Sequence, residues 1–211
     1  MNIQSLGYRT DFIFNNHDGS VEDHGDYFVV KTKNNPNYFW GNLLLYKKPP
    51  TFGDFKKWKS DFKKEFTNPK IYHMTFAWDS PSGNAGEISE FIKEGFELDK
   101  SIVLTTNKVS QPPRFNENVS VKTLNSDEEL EQVIQIQTDC GDDQHLSKES
   151  WEGFYRTQMV QYKKMIKDGL GHWFGAFLDN ELVGSLGIFT DKNIGRFQTV
   201  SYTHLTLPTK A

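Results

Sequence analysis

Trp173-Phe174-Gly175-Ala176-Phe177-Leu178-Asp179-Asn180-Glu181-Leu182-Val183-Gly184-Ser185-Leu186-Gly187-Ile188-Phe189 is two apolar, β-rich runs hinged on an Asp-Asn pair. Two Asx residues together suit the centre of a tight hairpin, where both backbone φ angles turn positive. The reading is two antiparallel strands, His172–Leu178 and Glu181–Thr190, with a third begun at Ile194–Thr199. Towards the amino terminus, Ser126 and Glu129 form a capping box, and Leu130, Val133 and Ile134 open an apolar helix face. A second helix follows Ser147, with Trp151, Phe154, Tyr155, Met159, Tyr162 and Ile166 as its inward stripe. Val119–Leu124 precedes both as a short strand, so the order is βααβββ.

Residues 107–118 contain Pro112-Pro113 and read as a linker, because prolines interrupt ladders and helices alike. Before it, Tyr8–Phe14 reads as a short strand followed by a loop. Tyr27–Lys33 and Tyr38–Tyr46 read as a hairpin joined by Asn34-Asn35-Pro36-Asn37. Phe55, Trp58, Phe62 and Phe66 recur at helical spacing, and Asn68-Pro69 stops that helix. Ile71–Trp78 is β-rich, Ile88, Phe91 and Ile92 mark a short helix ended by Gly95, and Phe96–Thr106 reads as an extended run. The expected order here is ββαβαβ, an α/β arrangement.

Composition narrows the function classes. Across 211 residues, 24 Lys and Arg stand against 28 Asp and Glu, a net charge of −4, which opposes binding to nucleic-acid phosphates. The longest apolar run, Leu43 to Tyr46, is too short to span a bilayer, and the first residues lack the basic and apolar regions of a signal peptide. The single cysteine, Cys140, excludes an internal disulfide and a Cys-based zinc site. A cytoplasmic globular protein, without nucleic-acid or membrane partners, is the expectation.

Three stretches carry a resemblance. Trp173–Phe177, Glu181–Phe189 and Gly195-Arg196-Phe197-Gln198-Thr199-Val200 are similar to successive strands of the GCN5-related N-acetyltransferase (GNAT) family. Residues 119–199 resemble the first half of that fold, and residues 27–106 its second half. Gly95-Phe96-Glu97 is similar to the family's junction between fourth helix and sixth strand. The resemblance implies an α/β fold with a mixed, mostly antiparallel sheet flanked by helices, in two related, partial domains. These are a degenerate copy at 1–106 and, after the linker, a front half at 119–199. It further implies acetyl-CoA as cosubstrate, an amine acceptor (small molecule or peptide), and acyl transfer between them. A non-catalytic ligand- or partner-binding module of the same fold is the alternative.

In the family, the fourth strand splays so that its free backbone groups pair with the pantetheine amides. A run of loop N–H groups at the next helix receives the pyrophosphate. The resemblance therefore places Phe197, Gln198 and Thr199 at the cosubstrate. Gln198 cannot titrate, so at most it positions a water, and no general base is assigned. The equivalent loop of the first domain is Lys47-Lys48-Pro49-Pro50-Thr51-Phe52-Gly53-Asp54. Its prolines delete donors and Asp54 adds negative charge, so it is expected not to bind CoA.

Asp139, Asp142 and Asp143 lie between the two helices of the second domain. Under the resemblance they border the acceptor entrance and attract an amine cation; a solvated acidic loop ahead of the Ser147 cap is the plainer reading. A metal site there is not expected, because no second cluster has ligand spacing. Cys140 reads as a partly buried residue at a helix end, not a nucleophile. Val200–Thr209 alternates like a strand ended by Pro208, yet resembles, residue for residue, one reading frame of a transposon-type sequencing-library adapter. On that reading residues 200–211 are an artefact, natural sequence ends near Thr199, and the chain is expected not to turn over acetyl-CoA.

Overall fold

A computed structural model describes residues 3–111, 113–114, 116–140 and 147–202. The chain divides into two compact units, Met1–Thr106 and Asn107–Ala211. Each is a mixed α/β unit built on its own four-stranded sheet with flanking helices. Among the described residues, no helix is long and apolar enough to cross a membrane.

The first unit runs α1 (Leu6–Asp18), β1 (Gly19–Asp23), β2 (Tyr27–Thr32), a 3-10 turn at Phe39–Gly41, β3 (Asn42–Tyr46), α2 (Asp54–Glu65), β4 (Phe76–Trp78) and α3 (Ser89–Lys93). The sheet order is β1-β2-β3-β4. Its first two pairings are antiparallel, and β3–β4 is parallel. Parallel neighbours need a crossover, which α2 supplies. The continuous apolar run Leu43-Leu44-Leu45 follows from burial on both faces. Leu44 packs with Phe55, Trp58 and Phe62 of α2. Leu43 and Leu45 pack with Phe12 of α1.

Several expectations for this unit are corrected. Tyr8–Phe14 is not a strand but the middle of α1, which buries Phe12 and Ile13. Its missing cap comes from outside the segment: the Asp79 carboxylate accepts the backbone N–H groups of Gln4 and Ser5 at 2.6 and 2.9 Å. Tyr38–Tyr46 is a strand only from Asn42. There the Asn42 side-chain amide donates to the Asn35 and Tyr38 carbonyls at 2.9 and 3.0 Å and holds the connection in a compact turn. Ile71–Trp78 pairs only over Phe76–Trp78. Phe96–Thr106 joins no sheet.

The second unit runs β5 (Ser120–Thr123), α4 (Asp127–Cys140), α5 (Lys148–Lys167), β6 (Gly171–Leu178), β7 (Glu181–Asp191) and β8 (Ile194–Tyr202). This is the expected βααβββ order, with an antiparallel sheet β5-β6-β7-β8. Asp179 and Asn180 take φ angles of 50° and 68°, as a two-residue hairpin turn demands. The α5 stripe is sealed at Met159, Gln161, Tyr162 and Met165, while Trp151, Phe154 and Tyr155 are half-buried. Helices α4 and α5 are tied by Lys163–Asp127, Arg156–Glu131 and Lys148–Asp139 ion pairs. Exposed pairs of this kind contribute about 0–1 kcal/mol each.

The capping box forms in both directions: the Glu129 N–H donates to Ser126 Oγ at 3.1 Å, and the Ser126 N–H to Glu129 Oε2 at 3.1 Å. Hydrogen bonds from Lys122, then from the Asn125 and Ser126 backbone, lower the Glu129 carboxyl from 4.5 to about 2. A depressed folded value stabilises above the ordinary value and is lost as pH falls towards it. The Glu129→Gln variant is therefore expected to melt below wild type at neutral pH, with the gap closing between about pH 4.5 and 2. Paired thermal melts across that range check this; a gap that persists unchanged at the acid end would refute the role given to the carboxylate.

Candidate functional site: the edge strand of the second unit

Strand β8 forms one edge of the second sheet. A Lys192-Asn193 turn, with Lys192 at φ 52°, returns the chain from β7. Pairing is regular from Asp191↔Ile194 to Gly187↔Gln198, then slips, resuming at Ser185↔Ser201. Strand β8 thus carries one residue more than β7 over this stretch, which is a β-bulge. Thr199 lies inside it at φ 43°. A β-branched residue in the left-handed region is a genuine outlier, and such strain concentrates at functional sites. The bulge bends an edge strand whose outer N–H and C=O groups pair with no strand among the described residues.

The residues that the resemblance places at the cosubstrate differ in their surroundings. Phe197 is exposed. Gln198 opposes Gly187 and faces α5, where its Nε2 donates to the Tyr162 hydroxyl at 2.7 Å. Tyr162 is buried against the Trp173 and Phe189 rings at 5.0 and 5.5 Å. The Gln198 amide is therefore engaged inward, while the strand's backbone carries the free edge. Sequence reading placed Tyr162 in the core stripe and missed its polar role; an aromatic hydroxyl at a helix position facing the sheet was the available signal.

At the far end of β8, the Cys140 thiol donates to the Tyr202 carbonyl at 3.1 Å. Cys140 is exposed, not partly buried, because it is the last residue of α4. That contact brings the α4 terminus, with Asp139, to the end of β8. The Asp139 carboxylate accepts from Gln135 at 2.8 Å and from Lys148 at 2.6 Å, and both bonds hold it below the ordinary carboxylate range. Its charge is largely met by Lys148, so it offers little to an amine cation. Asp142 and Asp143 lie outside the described residues, as do Thr203–Ala211. Val200, Ser201 and Tyr202 continue β8, with Ser201 buried opposite Ser185. Among the described residues no group of three or more His, Cys, Asp or Glu could hold a metal ion.

Two charged groups of the Lys47–Asp54 loop are engaged within the first unit. Lys47 Nζ pairs with Asp23 at 2.7 Å. The Asp54 carboxylate accepts from the Thr51 N–H and hydroxyl at 2.7 and 2.8 Å, and Gly53 enters α2 at φ 85°.

No protein-family model matches the chain, and no curated protein matches it. Among solved structures, it is similar to a functionally unknown conserved protein from Staphylococcus epidermidis ATCC 12228. That match has a TM-score of 0.61 and 14% identity, covering 89% of this chain and 73% of the other. A PaiA N-acetyltransferase from Thermoplasma acidophilum, solved in complex with coenzyme A, matches with a TM-score of 0.34 and 20% identity, over 42% of this chain and 64% of that one. The staphylococcal likeness is one of fold.

Proposed function

We propose that the second unit is an N-acyltransferase module in which β8 receives the pantetheine arm of acetyl-CoA and an amine accepts the acyl group. The observation that carries this reading is the Thr199 bulge on a sheet edge that pairs with no strand among the described residues. Backbone donors and acceptors re-aimed there suit the two amides of pantetheine, which bind as a strand would. The βααβββ order and the resemblance of residues 195–200 to the family's fourth strand support it. Acetyl-CoA supplies the activated acyl group. The chain's own part is to hold it: β8 amides orient the arm, and the Tyr162–Gln198 bond fixes the inner face of the strand. Asp142 and Asp143 stand as the proposed acceptor side, with Asp139 held by Lys148 beside them.

A second reading, a non-catalytic binding module of the same fold, is favoured for the first unit by its loop. Pro49 and Pro50 carry no N–H, Lys47 is paired with Asp23, and Asp54 is turned into its own helix start. The first unit is proposed as the degenerate copy.

Amide spectra of the isotope-labelled chain, titrated with acetyl-CoA, test the leading reading. Shifts are expected at Arg196–Tyr202, reproduced by pantetheine alone, and saturating near about 1 mM, or roughly 4 kcal/mol of binding. Affinity is expected to be weak because the β8 backbone meets only the pantetheine arm. The paired Lys47→Glu and Lys48→Glu substitutions are expected to leave the titration unchanged. An unmoved β8, or shifts that vanish with those two substitutions, would overturn the assignment.

A further inference from the structure

The first unit holds an open strand edge and an unpaired β-type run side by side. Strand β4 ends its sheet. The Leu44 N–H donates to the Thr75 carbonyl and the Asp79 N–H to the Tyr46 carbonyl. Backbone groups alternate sides in a parallel ladder, so those of Phe76 and Trp78 point away from β3. Of these, the Tyr8 hydroxyl takes a backbone hydrogen bond from Trp78; burial and then Asp11 push that phenol up to about 12. The Phe76 N–H and both carbonyls remain directed outward.

Thr75–Trp78 and Ser101–Val103 both line a cleft of about 1040 Å³. A paired neighbour strand would sit roughly 4.8 Å away and leave no such gap. Residues 101–105 (Ser-Ile-Val-Leu-Thr) have strand composition, yet join no sheet. Val103 rests near Gly7, where an added Cβ would lie 2.7 Å from its Cγ2. Ile102 and Leu104 are 82% and 91% exposed. Exposure of that order in a β-type run beside a free edge is a template for pairing between chains.

We propose that two copies of this chain associate by exchanging these parts, Ser101–Thr105 of each adding as a strand to β4 of the other. The exchange is reciprocal, so it closes as a two-fold dimer and does not propagate. It satisfies the Phe76 N–H and the Phe76 and Trp78 carbonyls and covers Ile102 and Leu104 in one step. The run carries no charge, whereas the cleft lining includes Glu94, Glu97 and Asp99 against Lys100 alone. That acidic surround opposes a phosphate-bearing occupant and tolerates a neutral strand. The proposal concerns the first unit and does not depend on the reading of the second.

Sedimentation equilibrium of the full chain is the test, with hydrogen exchange as the locator. A monomer–dimer equilibrium is expected, with amides of Phe76–Trp78 and Ile102–Thr105 slowing as concentration rises. The paired Ile102→Lys and Leu104→Lys substitutions should weaken dimerisation about 100-fold. The aromatic circular-dichroism signal should remain. Should that variant fail to fold, an acetylated peptide of residues 100–106 added to wild type replaces it. The peptide is expected to convert dimer to monomer and to shift the Phe76–Trp78 amides. A chain monomeric at every soluble concentration, a dimer protected elsewhere, or a peptide without effect would overturn the proposal. So would acetyl-CoA moving the Phe76–Trp78 amides, an outcome separable from any response at Arg196–Tyr202.

Discussion

Trp58→Ala is expected to destabilise the first unit by about 3–5 kcal/mol, the range for truncating a buried aromatic. Trp58 is sealed within the unit. It lies flat against Tyr46, with centroids 3.7 Å apart and planes 5° from parallel. Phe91 and Phe76 meet it edge-on or tilted at 5.4 and 5.7 Å. It therefore joins α2 to β3, β4 and α3 at once, and no neighbour can move into the space without breaking another ring contact. The Tyr46 hydroxyl, which donates to Asp61 at 3.0 Å, would lose its stacking support as well. Urea titration followed in the aromatic circular-dichroism region gives the answer. A loss below about 1 kcal/mol would mean that the aromatic layer repacks freely around the missing ring.

The next largest effect is expected at Asp79. Replacement by Ala removes the acceptor for the Gln4 and Ser5 N–H groups, bonds of 2.6 and 2.9 Å made by a buried carboxylate. Charge-assisted bonds are worth ~1.5–3 kcal/mol each, and two on one group overlap, so about 3 kcal/mol in total is expected. Asp79→Asn keeps an oxygen acceptor without the charge and should recover part of the loss. Because α1 packs Phe12 on the sheet, hydrogen exchange of its amides should accelerate together with the fall in stability. Unchanged exchange in α1 would show that the helix start does not depend on Asp79.

The second unit was legible because its signals are local. A capping box, a two-residue Asx hairpin and helical spacing each fix a few consecutive torsions, and these agree with one another. The first unit was legible only where the same held, as in α2 with its Phe55, Trp58 and Phe62 face. Helix α1 was misread because its polar face is interrupted and its cap arrives from Asp79, across the fold. The β1–β2 hairpin was missed because Gly19–Asp23 carries a single apolar residue, Val21, and owes its strand form to pairing with β2. For Phe96–Thr106 the composition pointed to a strand, but strand form needs a partner's backbone, and β4 does not provide it within this chain.

At the candidate site the division is similar. Residues 195–200 were singled out by their resemblance, but nothing in their order announces that Thr199 adopts a left-handed torsion or that the register slips there. A bulge is a property of two strands held at fixed ends, here by the Lys192-Asn193 turn and the Cys140–Tyr202 contact. Likewise Gln198 is an ordinary strand residue until the sheet places it under Tyr162. By itself the amino-acid sequence determined the α/β class and the βααβββ order of the second unit. These rest on periodicity and turn chemistry, which act within a few residues. Tertiary structure alone decided the start of α1, the open edge of β4, the bulge in β8 and the partners of Asp139, because each depends on groups that only folding brings together.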